Sequence, residues 1–309
     1  MKITYRKLFE ILKEKEISKT QLKDILDLSS ATLAKLSKNQ PISMNTLVAI
    51  CEYLKCQPSD VMEIVEAQDQ ETLLYKLREE KNIKLKGSIY HQTQIKLTYN
   101  SNHMEGSRLT EEQTRYIYET NTIGVEKTPA NIDDIIETVN HFQCFDYILD
   151  YADEVLTEKM IKEIHKILKT NTSDSRLSWF NVGEYKSKPN MVGDLQTTSP
   201  NQVSAEIKKL LTWYNKKTDI NVNDIIEFHY KFEQIHPFQD GNGRVGRLII
   251  FKECLKHNIV PFIIDETHKF YYYRGLREFE NEPGYLTDTC LSAQDNYKAL
   301  LKYFGYEYN

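Results

Sequence analysis

The run His236-Pro237-Phe238-Gln239-Asp240-Gly241-Asn242-Gly243-Arg244-Val245-Gly246-Arg247 decides how the rest of the chain reads. One apolar-periodic stretch precedes it (Ile225, Ile226, Phe228, Phe232, Ile235) and another follows (Leu248, Ile249, Ile250, Phe251, Leu255), so it is the tight connection between two buried helices. Gly241 and Gly243 flank Asn242 and are free to take positive φ, which lets backbone N–H groups converge on the open N-terminus of the second helix. Such a concavity seats an anion. Arg244 and Arg247 share a face of that helix's first turns, where the macrodipole disfavours cations unless an anion lies between them. Asp240 offers a hard carboxylate for a divalent cation, and His236 is the group of the run that exchanges a proton near neutral pH. Base, metal carboxylate and phosphate seat together predict transfer of a phosphorus-containing group to a hydroxyl, the base contributing ~100- to 10,000-fold. The bland alternative is a Gly-Asn-Gly turn with two solvated arginines. The run has no Lys-Ser/Thr after its glycines and is not a P-loop.

The run resembles the signature of Fic-domain proteins, H-x-F-x-[DE]-G-N-G-R-x-x-R, with every fixed position filled. The resemblance implies a mostly α domain, with a short β-hairpin flap, that transfers AMP from ATP and Mg²⁺ to a Ser, Thr or Tyr hydroxyl of a protein. By the same resemblance His236 deprotonates that hydroxyl, Asp240 holds Mg²⁺ on the α and β phosphates, and Gly241, Asn242 and Gly243 form the anion hole. Arg244 and Arg247 contact the β and γ phosphates, Phe238 anchors the loop, and Tyr273 and Leu276 line the adenine pocket. Doc-type relatives, which phosphorylate, tend to carry Lys at the position of Gly243. Two alternatives stay open: the same fold moving another phosphate-containing group or removing AMP, and a DNA-binding regulator whose Fic domain is a sensor.

Upstream, a helix from about Ile89 ends at Ser101-Asn102-His103-Met104-Glu105-Gly106. Gly106 suits a left-handed C-cap, and a carboxylate at a helix C-terminus is misplaced unless a cation such as Arg247 meets it. The run resembles the inhibitory motif [ST]-x-x-x-E-[GN] of Fic proteins, in the class whose inhibitory helix is N-terminal. That implies that Ser101, Glu105 and Gly106 form the motif, that Glu105 pairs with Arg247 in the γ-phosphate position, and that activity stays low until the helix moves. The alternative is a plain helix end with a solvated Glu105. Residues 171 to 200 make a loop too long for a passive connector. In Fic proteins this position carries a flap that pairs with the target's main chain. Here Tyr185 through Leu195 is the candidate, with Met191 and Val192 near its tip and Tyr185-Lys186 in place of the usual Tyr-Arg.

The first 66 residues read as four or five short helices, with Ser18-Lys19-Thr20-Gln21 opening the second and Leu28-Ser29-Ser30 capping a third over Ala31 to Lys38. They resemble a Cro/repressor-type helix-turn-helix domain. In such domains Ser29, Ser30 and Thr32 approach base edges, while Gln21, Lys35 and Lys38 reach bases or phosphates. Ser29 and Ser30 are equally explained as N-caps. The polar stretch Glu66 to Glu71 marks a boundary, giving residues 1–66 to the helix-turn-helix domain and 67–309 to the Fic domain. The latter includes an inhibitory helix at about 88–106 and a flap at about 185–195.

A chain of 309 residues suits two domains, and a net charge of −5 argues against coating nucleic acid non-specifically. Five cysteines, an odd count with no CxxC pair, read as reduced thiols of a cytoplasmic protein. No apolar run approaches the ~20 residues that span a bilayer, and no signal-peptide core opens the chain, so no membrane partner is expected. His229, on the helical face of His236, is weighed as half of a metal pair and read as a core residue; His141 and His165 are read as structural. The expected partners are ATP, a target protein with a hydroxyl side chain, the chain itself by automodification, and DNA through the N-terminal domain. Oligomeric state is left open.

Overall fold

Ser18, Ser43, Thr72, Ser88, Thr110 and Thr157 each stand just before a helix and accept the N–H of its third residue, satisfying a donor that has no partner within the helix. The computed structural model describes residues 2–37, 39–65, 72–123, 130–193 and 195–306. It divides into two units, Met1–Leu85 and Lys86–Asn309. It is mostly helical, as the sequence predicts.

The first unit holds α1 (Arg6–Glu14), α2 (Lys19–Ile25), α3 (Ser30–Ser37), α4 (Met44–Leu54), α5 (Pro58–Val61) and α6 (Leu73–Ile83). Leu8, Leu12, Leu22, Leu36, Leu47, Ile50 and Leu54 close its core. A ribbon of β1 (Lys2–Thr4) and β2 (Glu63–Val65), antiparallel with Ile3 opposite Ile64, ties the two ends of the module together. The sequence reading contains no such ribbon, since strands of three residues carry too little alternation to be seen. Lys38 and the boundary expected at residues 66–67 lie outside the described residues. Helix α6, expected in the second domain, clusters with the first unit, where the amide of Asn39 donates to the Tyr75 hydroxyl at 2.5 Å.

The second unit contains α7 (Ile89–Met104), α8 (Glu111–Thr120), α9 (Ile132–Asp150), α10 (Glu158–Lys169), α11 (Pro200–Asn215), α12 (Val222–Ile235), α13 (Asn242–Lys256), α14 (Glu266–Glu278) and α15 (Gly284–Tyr303). A hairpin of β3 (Met191–Val192) and β4 (Leu195–Gln196) lies between α10 and α11. Every residue of α13 from Asn242 to Leu255 is buried, and α7, α9, α10 and α12 all pack on it. A helix without a solvated stripe is a core element. Its N-terminus, where the decisive run ends, is therefore set by four other helices. Among the described residues no helix is long and apolar enough to cross a membrane, and the five cysteines are free.

Three buried imidazoles cement this unit. His141 meets the Thr98 hydroxyl at 2.9 Å, His165 meets the Asp240 carbonyl at 3.2 Å, and His229 meets the Tyr272 hydroxyl at 2.6 Å. Burial lowers each to about 3, with nearby arginine or lysine charge pushing the same way. Because the folded values lie below the unfolded one, their contribution is complete above pH 6.5 and is lost as the pH falls toward 3. Each is worth up to ~1.4 kcal/mol per pH unit in that window. Denaturant unfolding at pH 7 and pH 5 should show a clear loss at the lower pH; equal stability at both would mean that these rings are not held neutral.

Candidate active site

His236 closes α12 as its C-cap, with φ +51°, a left-handed conformation that costs a non-glycine residue about 1–2 kcal/mol. Several contacts hold it there. Phe238 is fully buried and stacks on His165, centroids 3.9 Å apart and planes at 2°. His165 in turn accepts the Gly183 N–H at 2.9 Å. The Asn242 side chain bridges the loop, accepting the Phe238 N–H at 2.7 Å and donating to the Phe238 carbonyl at 2.9 Å. Its amide is thus spent on fixing the turn; only its backbone N–H remains for the anion seat.

The two glycines differ from the sequence expectation. Gly241 is left-handed at φ +80° and caps α13, as expected. Gly243 is helical. Its lack of a side chain has another cause: a Cβ there would run into the Glu105 carboxylate and lie 2.8 Å from Arg247 Nη1.

Arg247 is 4% exposed, and three of its hydrogen bonds go to the end of α7. Its Nε donates to Ser101 Oγ at 3.0 Å, and Nη2 donates to the Ser101 carbonyl at 2.9 Å and to Glu105 Oε1 at 2.6 Å. Burial would lower the guanidinium's pKa, but Glu105 outweighs it and raises it. Glu105 is the C-cap of α7 and Gly106 follows at φ +98° with open space around it, so the glycine is there for its backbone. Tyr273 donates to the Met104 carbonyl at 3.2 Å and is 42% exposed. Leu276, partly buried, lies three residues along α14.

Arg244 meets Glu137 and, at 3.1 Å, Asp240 Oδ2. The same Asp240 oxygen accepts from Lys169 Nζ at 2.7 Å, and Lys169 also reaches Glu137 at 2.5 Å and Asp174 at 3.0 Å. Burial alone would lift the Asp240 carboxyl; Arg244 and Lys169 hold it well below the carboxylate range. Burial lowers the His236 imidazole to about 4, with Lys186 acting in the same direction. Glu233, one turn earlier, is lifted by burial to about 8.

The structure therefore gathers His236, Asp240, Gly241, Asn242, Gly243, Arg244, Arg247, Ser101 and Glu105 around the start of α13. Met191 and Val192 lie on the hairpin, both exposed. Tyr185 does not: its ring leans on Phe238, centroids 5.7 Å apart, beneath the Lys162 ammonium. Lys169, Glu137 and Glu233 escape the sequence reading, and Lys186 enters it only as the lysine that stands in place of the usual arginine. Lys169 carried a signal, because it follows His165 by one turn on the inner face shared with Ile161, Ile164 and Leu168.

With this geometry in place, residues 155–253 match the family model of the Fic/DOC family. The chain carries a Fic domain. Residues 7–67 match the Cro/C1-type HTH DNA-binding domain. Among curated relatives, the chain is 27% identical over 186 residues to protein adenylyltransferase Fic of Aedes aegypti, covering 59% of this chain and 36% of that protein. It is 29% identical over 181 residues to the protein of the same name from Nematostella vectensis, covering 57% and 41%. The chain thus spans well under half the length of these relatives. Among solved structures, a Fic domain containing signaling protein from Bacteroides thetaiotaomicron is similar at 26% identity and TM-score 0.56, covering 74% of this chain and 89% of that one. A fragment of Fic-1 from C. elegans shares the fold at 20% identity and TM-score 0.57, covering 97% and 85%. The stretch Ser101–Gly106 precedes the region of the Fic domain that the family model matches.

Because burial and Lys186 both disfavour the imidazolium, the His236 ring should stay neutral down to about pH 4. NMR titration of labelled histidines, with its signal identified by loss in His236→Ala, should show no protonation between pH 7 and 5. A midpoint near 6.5 would place the ring in open solvent.

Proposed function

We propose that the Fic domain transfers AMP from Mg-ATP to a hydroxyl of a protein, its own chain included, and that Glu105 holds this activity down. One observation carries the reading: a buried arginine at an anion-seating helix N-terminus is met by a carboxylate from another helix, directly above a glycine. The names of the curated relatives support the reaction. His236 is neutral and takes the hydroxyl proton as the oxygen bonds to the α phosphorus and pyrophosphate leaves. Backbone N–H groups at Gly241, Asn242 and Gly243, with Arg244 and Arg247, receive phosphate charge. Tyr273 and Leu276 line the base pocket, and the exposed hairpin offers its edge to the target's main chain.

Magnesium fits Asp240. The carboxylate is ionised, its side chain is 46% exposed, and among the described residues no group of three or more acidic, His or Cys side chains could hold a metal. That donor set suits a cation completing its shell with phosphate and water, which is how Mg²⁺ usually binds. When bound, it would neutralise charge developing on the phosphates.

For the N-terminal module we propose DNA contact through α3, whose Ser30 and Lys35 are exposed. Gln21, Ser29 and Thr32 are partly committed to caps: Gln21 accepts the Ser18 N–H at 2.7 Å, and Ser29 accepts the Thr32 N–H at 3.0 Å. Free thiols suit a reducing, cytoplasmic setting.

ATP labelled at the α or the γ phosphate decides the reaction. Label from the α position should enter protein, rise by roughly 10- to 100-fold in Glu105→Gly, and fall at least ~100-fold in His236→Ala. Label arriving from the γ position alone would make the domain a phosphotransferase, and a Glu105→Gly variant as slow as the parent would remove the inhibitory role.

A further inference from the structure

The base of the hairpin is held by a buried lysine, Lys186, which is 3% exposed. Its ammonium donates to Asn190 Oδ1 at 2.7 Å, to Thr197 Oγ1 at 2.6 Å and to the Ile235 carbonyl at 3.5 Å. Asn190 directly precedes β3, Thr197 directly follows β4, and Ile235 is the last residue of α12, next to His236. An ammonium has three donors, and three acceptors take them, so none is left for a ligand. Among the described residues no carboxylate pairs with it. A buried cation without a counter-ion is costly, so a lysine here has to be explained by what its bonds hold.

The seam continues on either side. The Lys186 N–H donates to the Pro237 carbonyl at 2.9 Å, Lys188 N–H to Gln239 Oε1 at 3.3 Å, and Asn190 Nδ2 to the Phe238 carbonyl at 3.1 Å. Thr197 Oγ1 closes the hairpin's neck by donating to the Asn190 carbonyl at 3.0 Å. Residues 186–190 are thus bonded to residues 235–239 at successive points, and the ammonium is the group that joins both hairpin ends to the catalytic loop.

We propose that Lys186 is a positioning residue: it locks both ends of the hairpin to the carbonyl beside His236, so that the hairpin edge and the imidazole face an incoming hydroxyl as one body. The functional half of this proposal rests on the AMP-transfer reading; the mechanical half does not. Misplacement by about 1 Å at such a site costs on the order of 100-fold in rate. A planar guanidinium cannot aim three bonds around a tetrahedral head, so arginine is a partial substitute here.

The test uses the full chain carrying Glu105→Gly, with and without Lys186→Met. Expected for Lys186→Met are faster hydrogen exchange of amides in residues 190–197, self-labelling from α-labelled ATP down ~10- to 100-fold, and calorimetric ATP affinity unchanged. The His236 titration midpoint should also rise from about 4, because the Lys186 charge is removed while the Glu233 backbone and the Glu105 and Asp240 carboxylates still favour the imidazolium. That shift follows from the lost charge whatever the side chain holds, so the exchange and the rate loss at unchanged ATP affinity are the readouts that a merely structural side chain would not move together. Lys186→Arg should keep the midpoint low and recover part of the exchange protection and rate. If Lys186→Met fails to fold, Thr197→Val removes one acceptor and should loosen the hairpin alone. Wild-type exchange of residues 190–197 in Lys186→Met, or a rate loss matched by lost ATP affinity, would overturn the proposal. Should the parent transfer no label at all, the AMP-transfer reading fails, and the exchange result still decides whether Lys186 is the clamp.

Discussion

A guanidinium buried at the start of a core helix must have an anion. Arg247 sits where the α13 dipole is positive and solvent is excluded, so its charge is doubly disfavoured until something negative arrives. Glu105 supplies that charge from the far end of α7, where the local dipole is negative and a lone carboxylate would be equally misplaced. Two ill-placed charges become one satisfied pair. Removing either partner alone would strand the other, which is the costly way to break a buried pair. The Ser101 hydroxyl and carbonyl take two further guanidinium hydrogens and fix its plane, so the pair is held in one geometry.

The second cationic group of the site closes on itself in the same way. Glu137, a residue of α9, accepts from both Arg244 and Lys169, and Asp240 accepts from the same two. Two cations and two carboxylates from α9, α10, α13 and the loop before it form a ring, with Asp174 at its edge. Helices α9, α10 and α13 are thereby cross-linked at the point where the loop leaves the core. The loop's apolar side is braced by the Phe238–His165 stack and its polar side by Asn242. A left-handed His236 survives because everything around it is fixed.

What could be read from the sequence was whatever a short run states by itself. The tight connection between α12 and α13, the helix ends at Ser18, Thr110 and Thr157, and the left-handed Gly106 all depend on neighbours within a few residues, and each appears where expected. Residues whose role depends on distant partners were hidden. Lys169 looks like an ordinary surface lysine, and Lys186 like a plain exchange for an arginine, until α10 and the hairpin are laid against residues 235–240. Gly243 was credited with backbone freedom when its real constraint is the side chain of a residue far back in the chain. The Asn242 side chain belongs to the turn, a bond pattern the sequence did not show, and leaves only its backbone N–H for an anion. Tyr185 was placed at the start of the flap by the family resemblance, yet its ring is drawn under Phe238, where an aromatic gains more than in water. The three-residue ribbon of the first unit is too short for any pattern and is set by pairing alone.

Gly243 and Glu105 also explain each other. A phosphate oxygen approaching the first turn of α13 needs the same clearance above residue 243 that the Glu105 carboxylate now fills. A carboxylate resembles two phosphate oxygens in charge and in the way it accepts from a guanidinium. The seat is therefore shaped for an anion rather than for one particular anion, and under the proposed function the chain's own carboxylate and a nucleotide's terminal phosphate make mutually exclusive claims on Arg247. Moving Glu105 away without a replacement leaves the buried guanidinium unpaired, so departure of the helix end and arrival of a phosphate are coupled by charge neutrality. Under the proposed function, the hold on the site is set by how well α7 is anchored. The contact from the Tyr273 hydroxyl to the Met104 carbonyl, one residue before Glu105, is the anchor nearest to that choice.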